Sequence, residues 1–317
     1  MLSSKERIVS ILISIFLAII LKINFFNLVQ SKEINQSSKS NNNNIKDVIN
    51  NNIPSYYDDK ISLLYSKIPD TVNYKVINIH QRKNPTVYTQ GLFYHNFTLY
   101  ESGGLYQNST LIHMEWPSQK ILQKIVLEDK YFAEGIASSN INNILYQLTY
   151  HEKEILLYSF PNLEFKTKIT MPSQLKEGWG LSQGKEKDEF FATDGSENIF
   201  ILKINKDTNE LNVKSYIKVT YNNKPVYRLN ELSYDGVYIY CNVYYEKVIL
   251  KVNPNNGVVV NVYNMQPLID YELNNGKLTN QRISTGDVLN GITYIPEKNT
   301  FIVTGKLWDY YYEVGFN

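Results

Sequence analysis

The sequence contains one cysteine and four histidines, and these small numbers exclude several kinds of site. Cys241 has no second cysteine with which to form an intrachain disulfide bond. The histidines are scattered along the chain without the spacing that zinc ligands require. We therefore expect no metal centre of the zinc type. Cys241 has no histidine close in sequence, which favours a small buried strand residue over a nucleophile.

The sequence also lacks an excess of charge of either sign. Its 32 basic and 31 acidic residues leave a net charge of +1. No stripe of lysine and arginine interleaved with aromatic residues is present, so no nucleic acid partner is expected. Aromatic residues, in contrast, are abundant at 13%, with 26 tyrosines. This composition is typical of many short strands and predicts one large all-β domain.

A long apolar run occurs at the N-terminus. Lys5 and Arg7 precede an uncharged run over residues 8–21, and a second apolar patch follows Lys22. This pattern predicts that residues 1–29 are a signal peptide or a signal anchor. We expect the remaining chain to lie in the secretory pathway lumen (ER or Golgi) or outside the cell, and to meet a membrane only through this segment. Three glycosylation sequons agree with that compartment and begin at Asn35, Asn96 and Asn108.

Residues 30–57 are polar and rich in asparagine, and they have too few apolar side chains to offset the entropy of ordering. They predict a disordered tether. Residues 58–317 then hold the folded domain. At its start, apolar positions over residues 58–68 have helical spacing, which predicts a short helix on the outside of the domain.

Within this domain, a polar or aromatic residue followed by glycine and an apolar strand occurs repeatedly. The copies lie 44, 45, 51 and 60 residues apart, a period typical of propeller blades. The fourth copy has Glu231 in place of the glycine. We therefore predict a five-bladed β-propeller in which the residues that open the inner strands converge on one channel. These five lead residues are Gln90, Glu134, Trp179, Asn230 and Asn290.

One strand in the domain has no hairpin partner of its own. It covers residues 73–79 and precedes the first repeat. We expect it to complete the last blade beside the C-terminal strands near residues 301–304 and 311–316, because such closure removes exposed sheet edges. The glycines of the repeats are expected to permit close approach of backbones. Four carboxylates beside turns are expected to accept structural hydrogen bonds: Glu101, Glu177, Asp194 and Glu231.

The strings around the repeats resemble the plant and bacterial type of glutaminyl-peptide cyclotransferase, in unbroken order from about Tyr74 to Phe316. Among them are Tyr88-Thr89-Gln90-Gly91-Leu92, Phe132-Ala133-Glu134-Gly135-Ile136, Glu177-Gly178-Trp179-Gly180-Leu181, Leu229-Asn230-Glu231-Leu232 and Leu289-Asn290-Gly291-Ile292. The resemblance implies a five-bladed propeller that converts the N-terminal glutamine of peptides and proteins to pyroglutamate and releases ammonia. It also implies that no metal or cofactor takes part.

The resemblance further implies a set of site residues. Glu134 would be catalytic, since one carboxyl can take a proton from the substrate amine and deliver it to the departing ammonia. The substrate would lie among Tyr88, Gln90, Phe132, Tyr150, Trp179, Asn230, Tyr244 and Lys306. In three of these positions the chain departs from the family pattern: Tyr88 replaces phenylalanine, and Tyr150 and Tyr244 replace tryptophan. Each change keeps a ring and adds a hydroxyl.

Two other classes of function fit the same residues. A calcium-dependent propeller hydrolase would use Glu134, Asn230 and Asn290 as oxygen ligands, and it would lose activity with a chelator. A non-catalytic propeller would bind a partner through its top loops and would tolerate Glu134→Gln. The sequence makes no prediction of oligomeric state.

Overall fold

The computed structural model describes residues 74–316. The predicted signal segment over residues 1–29, the tether over 30–57 and the helix over 58–68 lie outside the described residues, and they stay predictions. Within the described range, no helix has the length and apolar character needed to cross a membrane.

Five antiparallel sheets of four strands form five blades, as the repeats predict. The first blade comprises β2 (Tyr88–His95), β3 (Thr98–Gly104), β4 (Thr110–Glu115) and β5 (Ile121–Val126). The second comprises β6 (Ala133–Ser138), β7 (Ile144–Thr149), β8 (Glu154–Ser159) and β9 (Phe165–Thr170). The third comprises β10 (Leu181–Gln183), β11 (Glu189–Thr193), β12 (Asn198–Ile204) and β13 (Leu211–Lys218).

The two remaining blades follow a small hairpin of β14 (Thr220–Tyr221) and β15 (Lys224–Pro225). The fourth comprises β16 (Leu229–Tyr234), β17 (Ile239–Val243), β18 (Val248–Val252) and β19 (Val259–Asn264). The fifth comprises β20 (Leu289–Ile295), β21 (Thr300–Gly305), β22 (Tyr310–Phe316) and β1 (Tyr74–Gln81). In every blade but the last, the strands pair in sequence order, as in a meander.

The fifth blade closes the ring with the strand that has no hairpin partner. β1 runs antiparallel to β22, with Tyr74 opposite Phe316 and Gln81 opposite Tyr310. The predicted closure is therefore confirmed. A buried ion pair fastens this blade to the first: Arg82 Nη2 lies 2.7 Å from Glu101 Oε1. Arg82 follows the closing strand of the fifth blade and Glu101 lies in the first blade, so the pair joins the two ends of the ring. Removal of either partner would leave an uncompensated buried charge and would destabilise this junction.

The blades bury their apolar residues against one another. Each of five clusters joins side chains of two neighbouring blades. In the cluster between the first and fifth blades, for example, Leu99 and Ile112 pack with Ile302. Cys241 is fully buried in the cluster between the third and fourth blades, and burial raises the pKa of its thiol. It is a core residue, as its sequence context predicts.

The inner strands change register at the lead residues. In β2 the shift falls between Thr89 and Gly91, and β6, β16 and β20 have shifts at the corresponding positions. Such β-bulges bend a strand and redirect its side chains. The glycines here permit close backbone contact, since a Cβ on Gly135 would lie 2.3 Å from Leu181 N and one on Gly180 would lie 2.4 Å from Asn230 O.

Glu231 occupies the one repeat position that lacks glycine, and its side chain crosses between blades. It is fully buried, and Oε1 accepts a hydrogen bond of 2.9 Å from Leu92 N of the first blade. The N–H groups of Leu181 and Leu232 lie near enough to act on this carboxyl, whose Oε2 accepts no hydrogen bond from the described residues. Burial raises the pKa of Glu231 well above its usual range, while the N–H groups oppose that rise. The exception in the repeat is thus a cross-link between inner strands.

Two helices between β19 and β20 are an addition that the all-β prediction did not include. They are α1 (Gln266–Asn275), which has a proline in its first turn, and α2 (Asn280–Ser284). The buried carboxylate of Glu272 accepts the backbone N–H groups of Asp309 and Tyr310, each at 3.0 Å. This insertion accounts for the long spacing between the fourth and fifth repeats, and it packs beside the mouth of the channel.

Candidate active site

The lead residues of adjacent blades are joined by side-chain hydrogen bonds. Gln90 Nε2 donates to Glu134 Oε1 at 2.9 Å, and Asn290 Nδ2 donates to Gln90 Oε1 at 3.2 Å. All three side chains are buried, as are those of Trp179 and Asn230 at the same level of their blades. The structure therefore brings together residues that lie up to 200 positions apart in sequence, as the repeats predict.

Glu134 is the carboxyl at the centre of this group. Its burial raises its pKa well above the usual range for glutamate. The nearby Lys306 ammonium acts in the opposite direction, and the carboxyls of Glu231, Glu177 and Glu152 add to the rise. A raised pKa brings the protonation equilibrium of a carboxyl closer to neutral pH, where the group can both accept and release a proton. Glu134 thus has the property required of a group that transfers protons during a reaction.

Lys306 provides a buried positive charge next to Glu134. Burial lowers the pKa of its ammonium to about 8, while Glu134 and Asp287 act to raise it. The Nζ atom lies 4.5 Å from the ring centroid of Tyr244 and 5.0 Å from that of Tyr88. These cation–π contacts hold the ammonium beside two aromatic faces. Lys306 can therefore donate to an oxygen that gains negative charge.

Aromatic rings enclose these polar groups. The ring of Phe132 lies 6.3 Å from that of Tyr88 and 5.7 Å from that of Tyr150. On another side, the rings of Trp179 and Tyr244 are 5.6 Å apart. Seven of the eight substrate-site residues predicted with Glu134 are thus connected to it or to one another by contacts, and the eighth, Asn230, is buried at the start of the inner strand of the fourth blade. The enclosure limits access of water and restricts the conformations of a small bound group.

Three tyrosine hydroxyls on one side of the site, those of Tyr88, Tyr244 and Tyr245, form a connected group. Tyr88 Oη donates to the carbonyl oxygen of Gly286 at 3.2 Å and is hydrogen-bonded to Tyr244. Tyr244 is in turn hydrogen-bonded to Tyr245. A Cβ on Gly286 would lie 2.9 Å from Tyr88 Oη, and the φ of +115° at this residue also favours glycine. The insertion therefore supplies one wall of the site, which the sequence did not indicate.

Glu177 positions one of the enclosing rings. Trp179 Nε1 donates to Glu177 Oε2 at 2.8 Å, and His151 Nδ1 lies 3.7 Å from Glu177 Oε1. Glu177 was expected to be structural, and its acceptor role indeed fixes the indole of a site residue. The sequence places the two residues together, since both belong to the segment Glu177-Gly178-Trp179. Asp194 and Glu101 accept hydrogen bonds at turns and between strands, as expected.

Two amide oxygens of the lead residues have no partner among the described residues. Asn230 Oδ1 and Asn290 Oδ1 are buried and accept no hydrogen bond from them. A buried acceptor in this state is available to a ligand that brings N–H groups. Within residues 74–316, no three histidine, cysteine, aspartate or glutamate side chains come together in a way that could hold a metal ion. Of the oxygens that the calcium alternative requires, Glu134 Oε1 already accepts the Gln90 N–H group.

Comparisons with known proteins agree with this geometry. Residues 55–316 match a family model described as glutamine cyclotransferase. The chain is 30% identical over 233 residues to a glutaminyl-peptide cyclotransferase of Arabidopsis thaliana, covering 73% of this chain and 68% of that protein. The crystal structure of a glutaminyl cyclase from Myxococcus xanthus superposes with a TM-score of 0.64 at 27% identity, covering 77% of this chain and 97% of that one.

Proposed function

The chain belongs to the glutamine cyclotransferase family, and we propose that Glu134 carries the proton in its reaction. The chain is an enzyme of the glutaminyl-peptide cyclotransferase type, which converts the N-terminal glutamine of peptides and proteins to pyroglutamate and releases ammonia. The observation that carries the assignment of Glu134 is its environment: a buried carboxyl, held by Gln90 at 2.9 Å, with a pKa raised well above its usual range.

The reaction requires a neutral amine and a proton donor in one place. The α-amino nitrogen of the substrate attacks the carbon of its own γ-carboxamide, and a ring C–N bond forms. The bond from this carbon to the side-chain nitrogen then breaks. Glu134 accepts a proton from the attacking nitrogen and delivers it to the leaving nitrogen, which departs as ammonia. The carboxyl returns to its starting protonation state, so one group serves both steps.

Polar neighbours of Glu134 would hold the other atoms of the substrate. Lys306 is suited to the amide oxygen, because that oxygen gains negative charge when the amine attacks. Asn230 Oδ1 is suited to a substrate N–H group, because it is buried and has no partner among the described residues. The side chain of Gln90 is already hydrogen-bonded to Glu134 and Asn290, so its role is to hold the Glu134 carboxyl in position.

The aromatic enclosure would bring the two ends of the glutamine together. Cyclisation needs the side chain to fold back onto the amine, and positioning of this kind accelerates intramolecular reactions. Four aromatic rings provide rigid walls that favour this folded-back conformation of the substrate: those of Phe132, Tyr150, Trp179 and Tyr244. The connected hydroxyls of Tyr88, Tyr244 and Tyr245 add polar contacts at one side of the site. These contacts would affect which peptides the enzyme accepts as substrates.

The direct test is to incubate the full chain with a glutamine-led peptide and to measure ammonia release and the matching loss of mass from the peptide. The control peptide is identical except that its α-amine is acetylated. We expect ammonia from the free peptide only, because the acetylated nitrogen is a poor nucleophile. Ammonia release from both peptides would indicate deamidation by water and would contradict cyclisation.

We also propose that the enzyme is a glycoprotein of the secretory pathway, attached to a membrane by residues 8–29. The apolar N-terminal run supports this location. Two of the sequon asparagines, Asn96 and Asn108, are exposed in turns, which supports their accessibility to glycosylation. Endoglycosidase treatment should increase the gel mobility of the protein, and alkaline washing should leave the protein in the membrane fraction. Full release by alkali would argue for a cleaved signal peptide.

A further inference from the structure

Hydrogen bonds from Asn290 to Glu134 run in one direction through Gln90. Asn290 Nδ2 donates to Gln90 Oε1 at 3.2 Å, and Gln90 Nε2 donates to Glu134 Oε1 at 2.9 Å. The three residues open the inner strands of the fifth, first and second blades. A side-chain amide can present either its oxygen or its nitrogen to a neighbour, so some other group must select the orientation of Gln90.

The backbone carbonyl of Thr89 makes this selection. Asn290 Nδ2 donates to Thr89 O at 3.0 Å, and a carbonyl oxygen can only accept. Asn290 must therefore direct its nitrogen toward this side of the channel. The same nitrogen then faces Gln90, which has to present its oxygen. As a consequence, the Gln90 nitrogen faces Glu134.

Both ends of this series are held in place by buried contacts. Thr89 Oγ1 donates to Glu101 Oε1 at 2.6 Å and accepts from Arg82 Nη1 at 3.1 Å. On the other side, Gly291 has a φ of +112°, and its N–H group donates to Asn242 Oδ1 at 3.1 Å. These contacts fix the backbone before and after the amide pair. Neither Thr89 nor Asn290 can turn without breaking a buried hydrogen bond.

We propose that Asn290 is a positioning residue for the cyclisation, which acts by fixing the end of the Gln90 amide that faces Glu134. The inference rests on the proposed role of Glu134. With Oε1 occupied as an acceptor, the exchangeable proton of the neutral carboxyl is confined to Oε2. If the Gln90 amide turned, its oxygen would accept a proton from Glu134 Oε1. The carboxyl would then be held in its neutral form in a bond that takes no part in the reaction.

Other charged groups around Glu134 act independently of this series. The charged groups that act on Glu134 are Lys306, Glu231, Glu177 and Glu152, and the neighbouring titratable hydroxyls are those of Tyr88, Tyr106, Tyr150 and Tyr244. None of these groups is hydrogen-bonded to the side chain of Asn290, which donates to Thr89 and Gln90. A substitution at Asn290 should therefore affect Glu134 through Gln90 and leave these other groups in place.

A double-mutant cycle tests this mechanism. Asn290→Asp keeps the shape of the side chain, but in either protonation state it cannot donate to both Thr89 O and Gln90 Oε1. In the wild-type background we expect kcat to fall about tenfold to a hundredfold, the cost of a lost hydrogen bond to a charged group, with KM nearly unchanged. The rising limb of the pH profile of kcat should move to higher pH. The turned amide favours the neutral carboxyl of Glu134, and Glu134 must be ionised to accept the proton of the attacking amine.

In the Gln90→Ala background, the same substitution should change kcat by less than about twofold, because no amide remains to be oriented. Equal losses in the two backgrounds would overturn the inference and assign Asn290 a purely structural role. Asn290→Ala serves in the same cycle if the aspartate variant does not fold. Asn242→Asp is the matched control, since it adds a carboxyl nearby and keeps the acceptor for Gly291; it should leave the pH dependence unshifted.

Failure of the proposed function gives a different result. If Glu134→Gln retains wild-type ammonia release, the role of Glu134 is wrong and the inference falls with it. If Glu134→Gln is inactive and the two losses at Asn290 are equal, only the inference fails.

Discussion

Glu134→Gln is the substitution that most directly tests how the site works. The glutamine has the same size, and its Oε1 can still accept the N–H group of Gln90 that lies 2.9 Å from the carboxyl in the structure. It cannot exchange a proton. Loss of general acid–base catalysis typically lowers a rate by about a hundredfold to ten thousandfold. That factor corresponds to about 2.7–5.5 kcal/mol in the activation free energy, and we expect kcat to fall within this range.

The stability of the variant should change little. The substitution removes a carboxyl that is costly to bury and keeps its hydrogen bond, so the melting temperature should stay within about 4 °C of the wild type, equivalent to about 1 kcal/mol. The pKa of Lys306 should fall below its present value of about 8, because the Glu134 carboxylate acts to raise it. The assay is therefore run near neutral pH as well as at pH 8, so that loss of the ammonium is not mistaken for loss of proton transfer.

The assay measures ammonia release from a glutamine-led peptide at saturating concentration, with thermal unfolding measured on the same preparation. Glu152→Gln is the matched control, because it makes the same chemical change at another carboxyl that acts on Glu134 through its charge alone. It should retain activity within about threefold, which is about 0.7 kcal/mol. If Glu134→Gln were also within threefold of the wild type, Glu134 could not be the proton carrier.

Three further predictions concern the ring enclosure, the lysine and metal ions. Trp179→Phe removes the hydrogen bond to Glu177 and should lower kcat/KM about tenfold, a loss of about 1.4 kcal/mol; Trp308→Phe, in the fully buried core, should lower the melting temperature and leave kcat/KM within about threefold. The opposite ranking would place the pocket elsewhere. The rate should rise as the substrate amine, which titrates at about pH 7.7–8.0, and the Glu134 carboxyl lose their protons and then fall as Lys306, whose pKa is about 8, loses its charge. In Lys306→Arg the fall should move beyond pH 9, because arginine stays protonated; an unchanged basic limb in the normalised pH profile would exclude Lys306 as its origin. EDTA should leave the rate unchanged, since the described residues bring no three metal-ligating side chains of the histidine, cysteine or carboxylate type together; a loss restored by calcium would favour the hydrolase alternative.

The sequence predicts the blades well because each one repeats the same physical requirement. A glycine is needed wherever two inner backbones approach closely, as at Gly135 and Gly180, so the repeats are visible without an alignment. The closing strand is equally visible, since β1 has no neighbour in sequence with which to pair. The insertion of α1 and α2 was missed. Its only sign was the 60-residue spacing between repeats, which a long loop would also produce.

The predicted site residues lie on or just before the inner strands, or directly after the second strand of a blade, as do Tyr150, Tyr244 and Lys306. At these places the repeat fixes the position of each side chain. The residues that were missed come from segments outside the repeat. Tyr245 lies in a turn with a φ of +64°, and Gly286 follows a short helix. Their contacts with the site depend on how those segments fold back, which local pattern does not specify. Glu231 accepts a structural hydrogen bond, as predicted, but its partner was not predicted, because Leu92 is 139 residues away in sequence.

The closure of the ring by β1 and β22 has a consequence for the order of events during synthesis. β1 leaves the ribosome before any other described strand, whereas its partner, Tyr310–Phe316, leaves last. At a translation rate of about 5–20 residues per second, β1 waits roughly 10–50 s for that partner. During this interval its backbone N–H and C=O groups form an unpaired edge that carries the apolar side chains of Val76, Ile77 and Ile79, all exposed even in the finished ring. The nascent chain is thus most open to mispairing with other chains before the last seven strand residues emerge.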